Sequence, residues 1–397
     1  MDTQTLTARV VCPIDQPALA GGQVTIAGER IVAVEPAGSR RADLDLGNVA
    51  LLPGFVNAHT HLDLSGLRGR CPPSNDFTTW LKQVIAHRRQ QAADEMEADI
   101  RTGLRACLAA GTTLVGDISA TGASAAILRE APITSVVFHE LLGLTPERAA
   151  SATETARSFL EHFGAAERCR PGLSPHAPYS VHADLFRSAA ELARRFAVPL
   201  AVHLAESQEE LQLLREHAGP FVSFLQKLGV WHPDGLVRSP AEVIARCAAA
   251  PQRLFVHGNY LDPANSFEPG STIVYCPRTH AAFGHDPHPF RELIARNVTV
   301  ALGTDSLASN PDLDVLAEAR FLHARHGDLE GASLLRMLTL NGATALGMES
   351  ETGSLTPGKY ADMVVLPVAE EELPDPYALL LESSQPVARV MWHGAWI

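Results

Sequence analysis

Leu51-Leu52-Pro53-Gly54-Phe55-Val56-Asn57-Ala58-His59-Thr60-His61 carries an apolar strand through a Pro-Gly bend into two histidines one residue apart. Side chains at i and i+2 of a strand point to one side, so His59 and His61 can converge on one ion from one rigid element. Alone, His-x-His is weak evidence, since histidine has many structural uses. The decisive question is whether further donors appear downstream. Pro199 to Leu204 is a second apolar run, which delivers His203 and, three residues later, Glu206. Leu254-Phe255-Val256 delivers His257, and Val298 to Leu302 closes with Asp305 just past its end. Apolar strands that end repeatedly in residues able to bind or serve a divalent ion point to a metal site.

Outward from these strands, eight apolar segments can be marked between residues 51 and 347. They end near His61, Asp117, Glu140, His176, His203, His257, Cys276 and Asp305. Stretches of helical character follow, among them Thr79 to Leu108, Ala183 to Ala197, Gln208 to Leu228 and Leu313 to Ala324. Such alternation implies parallel strands. Eight units of this size predict an α/β fold, a TIM-type (β/α)8 barrel, whose catalytic groups gather at the C-terminal strand ends where the candidate donors lie. A doubly wound open sheet competes, but no Gly-x-Gly-x-x-Gly turn follows the first strand. Residues 5 to 50 and 352 to 397 read instead as short β segments. The expected organisation is a β-sandwich built from residues 1–50 and 348–397 around a barrel at 51–347.

The 397 residues are 46% hydrophobic, ordinary for a globular protein, and the formal charge of −13 argues against a nucleic-acid partner. No apolar run reaches the roughly 18 residues of a membrane span, and the N-terminus lacks signal-peptide character, so a cytoplasmic protein is expected. The six cysteines include no Cys-x-x-Cys pair, so neither a disulfide framework nor a zinc ribbon is indicated. A small-molecule ligand is the expected partner. An exposed apolar helix face would suit a homodimer, but periodicity cannot separate it from barrel-facing surface.

With these residues in view, the chain resembles the amidohydrolase superfamily, in the branch of cytosine, guanine and adenosine-type deaminases and related chlorohydrolases. PGFVNAHTHLD (53–63), SPHAPYS (174–180), HLAES (203–207), VHGNYL (256–261), ALGTDS (301–306) and GSLTPGKYADMVVL (353–366) fall in that family's order over nearly the full length. The resemblance implies one catalytic divalent ion, Zn2+ or alternatively Fe2+, bound by His59, His61, His203 and Asp305. Two-metal relatives bridge their ions with a carboxylated lysine or a glutamate at the end of strand four. Here that strand reads Arg170-Pro171-Gly172-Leu173-Ser174-Pro175-His176, and no lysine lies between Lys82 and Lys227, so a mononuclear site follows.

Three imidazoles and a carboxylate would leave a position for water, whose pKa such an ion lowers. Asp305 would accept a proton, His257 would orient the nucleophile without touching the ion, and Glu206 would protonate a ring nitrogen and then carry a proton to departing ammonia. Substrate contacts are expected from loops after the strands: Arg68, Trp80, Glu140, His176, Tyr179, Arg278, Thr279, His280, Ser306 and Asn310. For Trp80 helix packing competes with substrate stacking, and Glu140 could either pair with an arginine or hold ribose hydroxyls. The segment Tyr275 to His285 departs from the family's Cys-Pro-x-Ser-Asn, and its Arg278, His280 and His285 would suit an anionic tail such as a carboxylate. With CPPSNDFTTWLKQVIAHRR (71–89), this is similar to deaminases of 6-amino-6-deoxyfutalosine, an adenosine derivative ending in a benzoate, on a route to menaquinone. Deamination of methylthioadenosine, S-adenosylhomocysteine or adenosine, hydrolysis of an amino- or chlorotriazine, and a catalytically silent binding barrel are the alternatives.

Overall fold

Eight parallel strands pair in chain order: Phe55–Thr60, Thr112–Ser119, Thr134–Leu141, Cys169–Pro175, Leu200–Leu204, Arg253–His257, Ser271–Tyr275 and Thr299–Leu302. A parallel bridge between Thr60 and Asp305 brings the eighth strand's end against the first, which all but closes the barrel. These coordinates are a computed structural model that describes residues 3–74, 76–164, 167–370 and 375–397. Inside the barrel Val56, Ala58, Leu114, Ile118, Val136, Phe138, Ala201, Leu254, Val256, Val274 and Ala301 form one buried cluster, sealed by the helix Leu340–Ala345 and Leu346. The alternate residues, Val115, Val137, Val202, Phe255, Ile273 and Val300 among them, face clusters shared with the surrounding helices. Near-continuous hydrophobic strands are what burial on both faces requires.

The terminal segments build two sheets. One comprises Thr3–Thr7, Gln23–Ala27, Arg30–Glu35 and Leu44–Asp45. The other interleaves both chain ends, with Val49–Pro53 antiparallel to Met363–Pro367 at its centre. Period-two alternation divides this second sheet's faces. Leu51, Met363 and Val365 join Leu6, Val24 and Ile31 in the core between the sheets, whereas Ala50, Leu52, Val364 and Leu366 belong to the large cluster on the barrel side. Val49–Pro53 thus pairs within the sheet of the chain ends, and Gly54 joins it to the first barrel strand. Only glycine fits there, since a Cβ would lie 2.0 Å from Thr113 Oγ1.

Two predicted helices are each divided. Thr79 to Leu108 becomes Phe77–Gln90 and Ala93–Ala109, the second begun by a Glu95 carboxylate that accepts the Ala92 N–H at 3.0 Å. Gln208 to Leu228 becomes Gln208–Glu216 and Pro220–Lys227, because His217 and Gly219 adopt left-handed φ of 51° and 88° and Pro220 starts a new first turn.

Candidate active site

Each donor singled out in the sequence stands at the C-terminal mouth of the barrel. The pairing of the first strand with the second slips between Asn57 and Thr60. Val56 and Ala58 can thus fill the barrel interior while His59 and His61 face the mouth. Gly303 makes room, for a Cβ there would meet the His59 Cβ at 2.9 Å. Ala205 and Asp305, just past strands five and eight, and His257, the last residue of strand six, have φ of 52°, 56° and 66°. Left-handed backbone at three non-glycine residues around one site is strain held by its surroundings. For Asp305 the holders are visible: its N–H donates to His59 O, its carbonyl accepts the Thr60 hydroxyl at 2.8 Å, and its Oδ2 accepts the Ser309 hydroxyl at 2.5 Å.

The ligand atoms of His59, His61 and Asp305 lie within 4.8 Å of one another, as do those of His59, His203 and His257. His61 Nε2 is 3.2 Å from His203 Nε2, and Asp305 Oδ1 is 3.5 Å from Nε2 of both His59 and His61. Burial and the neighbouring His59 push His61 well below the ordinary histidine range. Burial with His59, His176 and His61 does the same to His203. Burial alone would raise the Asp305 carboxyl, but the approach of His59, His61 and His257 holds it well below the usual carboxylate range. Both ring nitrogens of His59 are buried without a hydrogen-bond partner. Neutral imidazoles with converging lone pairs and one ionised carboxylate, buried together, are a donor set for a divalent cation. The His203 ring is oriented for this by its Nδ1, which donates to His176 O at 3.1 Å.

Beside the donors, Glu206 Oε1 lies 3.3 Å from His257 Nε2. Burial, then Asp305 and Glu210, push the Glu206 carboxyl well above its usual range, and burial lowers His257 to about 3. Burial thus favours the protonated form of Glu206 and the neutral form of His257 where the two meet. These groups floor a cavity of about 420 Å³, which is also lined by Trp80, Arg88, Glu140, His176, Tyr179 and Ser306.

Trp80 is packed in the helical core, its indole N–H donating to Cys71 O at 3.2 Å and its ring meeting Phe283 edge-on, and it also lines the cavity. Glu140 does pair with an arginine. Arg88 Nη1 donates to its Oε2 at 2.9 Å and Arg88 Nη2 lies 3.2 Å from Asp63, whereas Glu140 Oε1 is buried with no hydrogen-bond partner. Burial would raise Glu140, but Arg88, His176 and His61 bring it down to about 2, so it is ionised and can only accept. His176 lines the cavity, with Nδ1 2.7 Å from the Ser180 hydroxyl and Nε2 3.9 Å from Glu140.

Arg68, Arg278 and His280 are not brought to the cavity. Arg278 donates to Glu318 at 2.7 Å and to Asp312, because the fully buried Glu318 needs a cation. His280 Nε2 bonds to Asp286 O at 2.8 Å, and Arg68 is exposed beyond the short helix Leu62–Leu67. Thr279 and Asn310 serve the structure instead, hydrogen-bonded to Thr304 O. Sequence reasoning missed Arg88, Arg89 and Arg148, all of which line the cavity, and Glu210 behind Glu206. A signal for Arg88 existed: Phe77, Trp80, Leu81 and Val84 form a buried helical stripe, and Arg88 continues it at the next i+4 position.

The amidohydrolase family's sequence profile matches residues 50–397. A 5-methylthioadenosine/S-adenosylhomocysteine deaminase from Moorella thermoacetica is 30% identical over 386 residues, 92% of this chain and 86% of that one. An aminodeoxyfutalosine deaminase from Deinococcus radiodurans is 30% identical over 355 residues, 82% of this chain and 81% of its own. Among solved structures, a zinc-bound adenosine deaminase from Xanthomonas campestris has a TM-score of 0.80 at 25% identity, covering 99% of this chain and 92% of that one. An aminofutalosine deaminase from Helicobacter pylori, solved with methylthio-coformycin, reaches a TM-score of 0.85 at 24% identity over 99% and 100% of the two chains, which bears on the fold.

Proposed function

This chain belongs to the amidohydrolase family and is a hydrolytic enzyme; from that premise we propose that it deaminates an adenosine-type nucleoside, with 6-amino-6-deoxyfutalosine as its substrate. The observation that carries the deaminase reading is the meeting of Glu206, His257 and Asp305 beside three buried imidazoles on one cavity floor. His59, His61, His203 and Asp305 would hold the ion, Zn2+ in the first instance. Bound there, a divalent ion supplies Lewis acidity that makes water nucleophilic near neutral pH. Glu206, whose burial favours its protonated form, donates to the ring nitrogen next to the amino-bearing carbon, which makes that carbon electrophilic. Asp305 takes the proton of the attacking water, and the His257 N–H stabilises negative charge as the carbon becomes tetrahedral. Glu206, now ionised, takes the remaining water proton from the new hydroxyl and passes it to the amine, which leaves as ammonia, and the proton held on Asp305 restores Glu206.

Two features of the cavity support a nucleoside with a tail. The ionised Glu140, whose Oε1 lacks a partner, accepts hydroxyl donors such as those of ribose. Farther out, Leu142, Leu144, Phe224 and Leu228 offer an apolar wall, and the exposed Arg89 and Arg148 stand beside it. That combination suits an aromatic carboxylate, with Arg89 and Arg148 in the role the sequence had given Arg278. Methylthioadenosine or S-adenosylhomocysteine is the second reading, favoured by the Moorella relative over 92% of the chain. Ammonia release from metal-loaded protein, ranked by kcat/KM across 6-amino-6-deoxyfutalosine, methylthioadenosine, S-adenosylhomocysteine, adenosine and an aminotriazine, tests both. Preference for the first is expected. A faster thioether nucleoside would overturn the substrate, and an aminotriazine alone would overturn the nucleoside reading.

A further inference from the structure

Behind Glu206 stands a second carboxylate that the reaction does not consume. Glu210 is fully buried, and its two oxygens are spent on backbone: Oε1 accepts the Ala205 N–H at 2.8 Å and Oε2 accepts the Glu206 N–H at 3.2 Å. The ordinary explanation is a capping box. Ser207 caps the helix Gln208–Glu216, and its hydroxyl accepts the Glu210 N–H at 3.2 Å, so Glu210 occupies the position from which a glutamate usually reaches back to the cap residue's own N–H. Here it overshoots. Its bonds go to the two residues before the cap, Ala205 in the left-handed conformation with φ 52° and Glu206 itself.

The opposite side of the same dipeptide is held as firmly. Asn259 Nδ2 donates to Glu206 O at 2.9 Å and the Tyr260 N–H donates to Ala205 O at 3.0 Å. All four backbone polar groups of Ala205 and Glu206 are therefore taken up, two of them by one buried carboxylate. A left-handed residue bearing a Cβ keeps that conformation only where its surroundings over-determine it. This turn sets the direction in which the Glu206 side chain leaves the strand end.

We infer that Glu210 is a positioning residue, which locks the Ala205–Glu206 turn so that the Glu206 carboxyl lies against His257 and the substrate's ring nitrogen. The inference rests on the reading of Glu206 as the proton carrier. Glu210→Met removes both acceptors at similar volume and leaves the Ala205 and Glu206 N–H groups without their partners. Because misplacement by about 1 Å can cost about 100-fold in rate, kcat should fall by about 10- to 100-fold with KM within about threefold of the parent. Glu210→Gln retains one carbonyl acceptor and should recover part of that loss.

Ammonia release is measured on the fastest nucleoside of the panel above, alongside metal content, and a crystal structure of the Met variant gives a readout free of turnover. Displacement of the Glu206 carboxylate from His257 is expected. If that carboxylate is unmoved, or if kcat of the Met variant stays within twofold, the inference is overturned. Should no nucleoside release ammonia, the deaminase reading falls, while the crystal structure still decides the positioning of Glu206.

Discussion

Glu206 and His257 meet where both are buried, which favours the uncharged form of each. Glu206→Gln keeps the shape and the hydrogen bonding but cannot release a proton. Turnover should drop by about 100- to 10,000-fold, while metal content, measured on the purified variant, stays at the parent level. Surviving turnover would remove Glu206 from the proton path. The convergence of His59, His61, His203, His257 and Asp305 was legible in the chain because each stands at or just past the end of an apolar strand, and strand ends converge in a barrel. Which arginines line the cavity was not legible, because charge alone does not say which way an arginine turns. Arg278 and Arg88 both make ion pairs with buried carboxylates, yet only Arg88 does so in the cavity wall.

At the scale of elements, Arg278 ties the helix Pro277–Phe283 after the seventh strand to the helix Val315–Arg325 after the eighth, through Glu318, and to Asp312 just before the latter. Its loss would strand a fully buried carboxylate, so Arg278→Ala should destabilise the protein by about 3–5 kcal/mol. Denaturant unfolding checks this. A stable variant with a raised KM for carboxylate-bearing nucleosides alone would return Arg278 to the substrate. The divided helices show where periodicity misleads. Helix-favouring composition runs up to and past residues 91–92 and 217–219, so each pair of helices reads as one, and the breaks come from backbone conformation and capping at single residues. The slip between Asn57 and Thr60 is of the same kind: strict alternation would have placed His59 opposite in phase to Ala58 without saying how the strand accommodates both.

Across the whole molecule, barrel and small domain share a seam at Gly54, whose N–H donates to Asp362 O at 2.9 Å. The Asp362 carboxyl is buried there, accepting the His393 N–H at 2.9 Å and the Thr352 hydroxyl at 3.0 Å, and burial raises it from 3.8 to about 7. Between those values the folded chain keeps a proton that the unfolded chain releases. The stability this group contributes is full below about pH 4 and is lost as pH rises through about 7. Asp362→Asn should accordingly lose less Tm than the parent between pH 5 and pH 8 in thermal melts, and parallel curves would remove Asp362 as the cause. The barrel was readable from eight repeated units, but the seam was not, because its strands come from opposite ends of the chain. Val49–Pro53 finds its neighbour Met363–Pro367 only after some three hundred intervening residues. On the ribosome, the strand that leads into His59 and His61 must therefore wait, one edge unpaired, until the whole barrel has emerged. A chain interrupted anywhere before residue 363 would carry that open edge as a visible mark of its incompleteness.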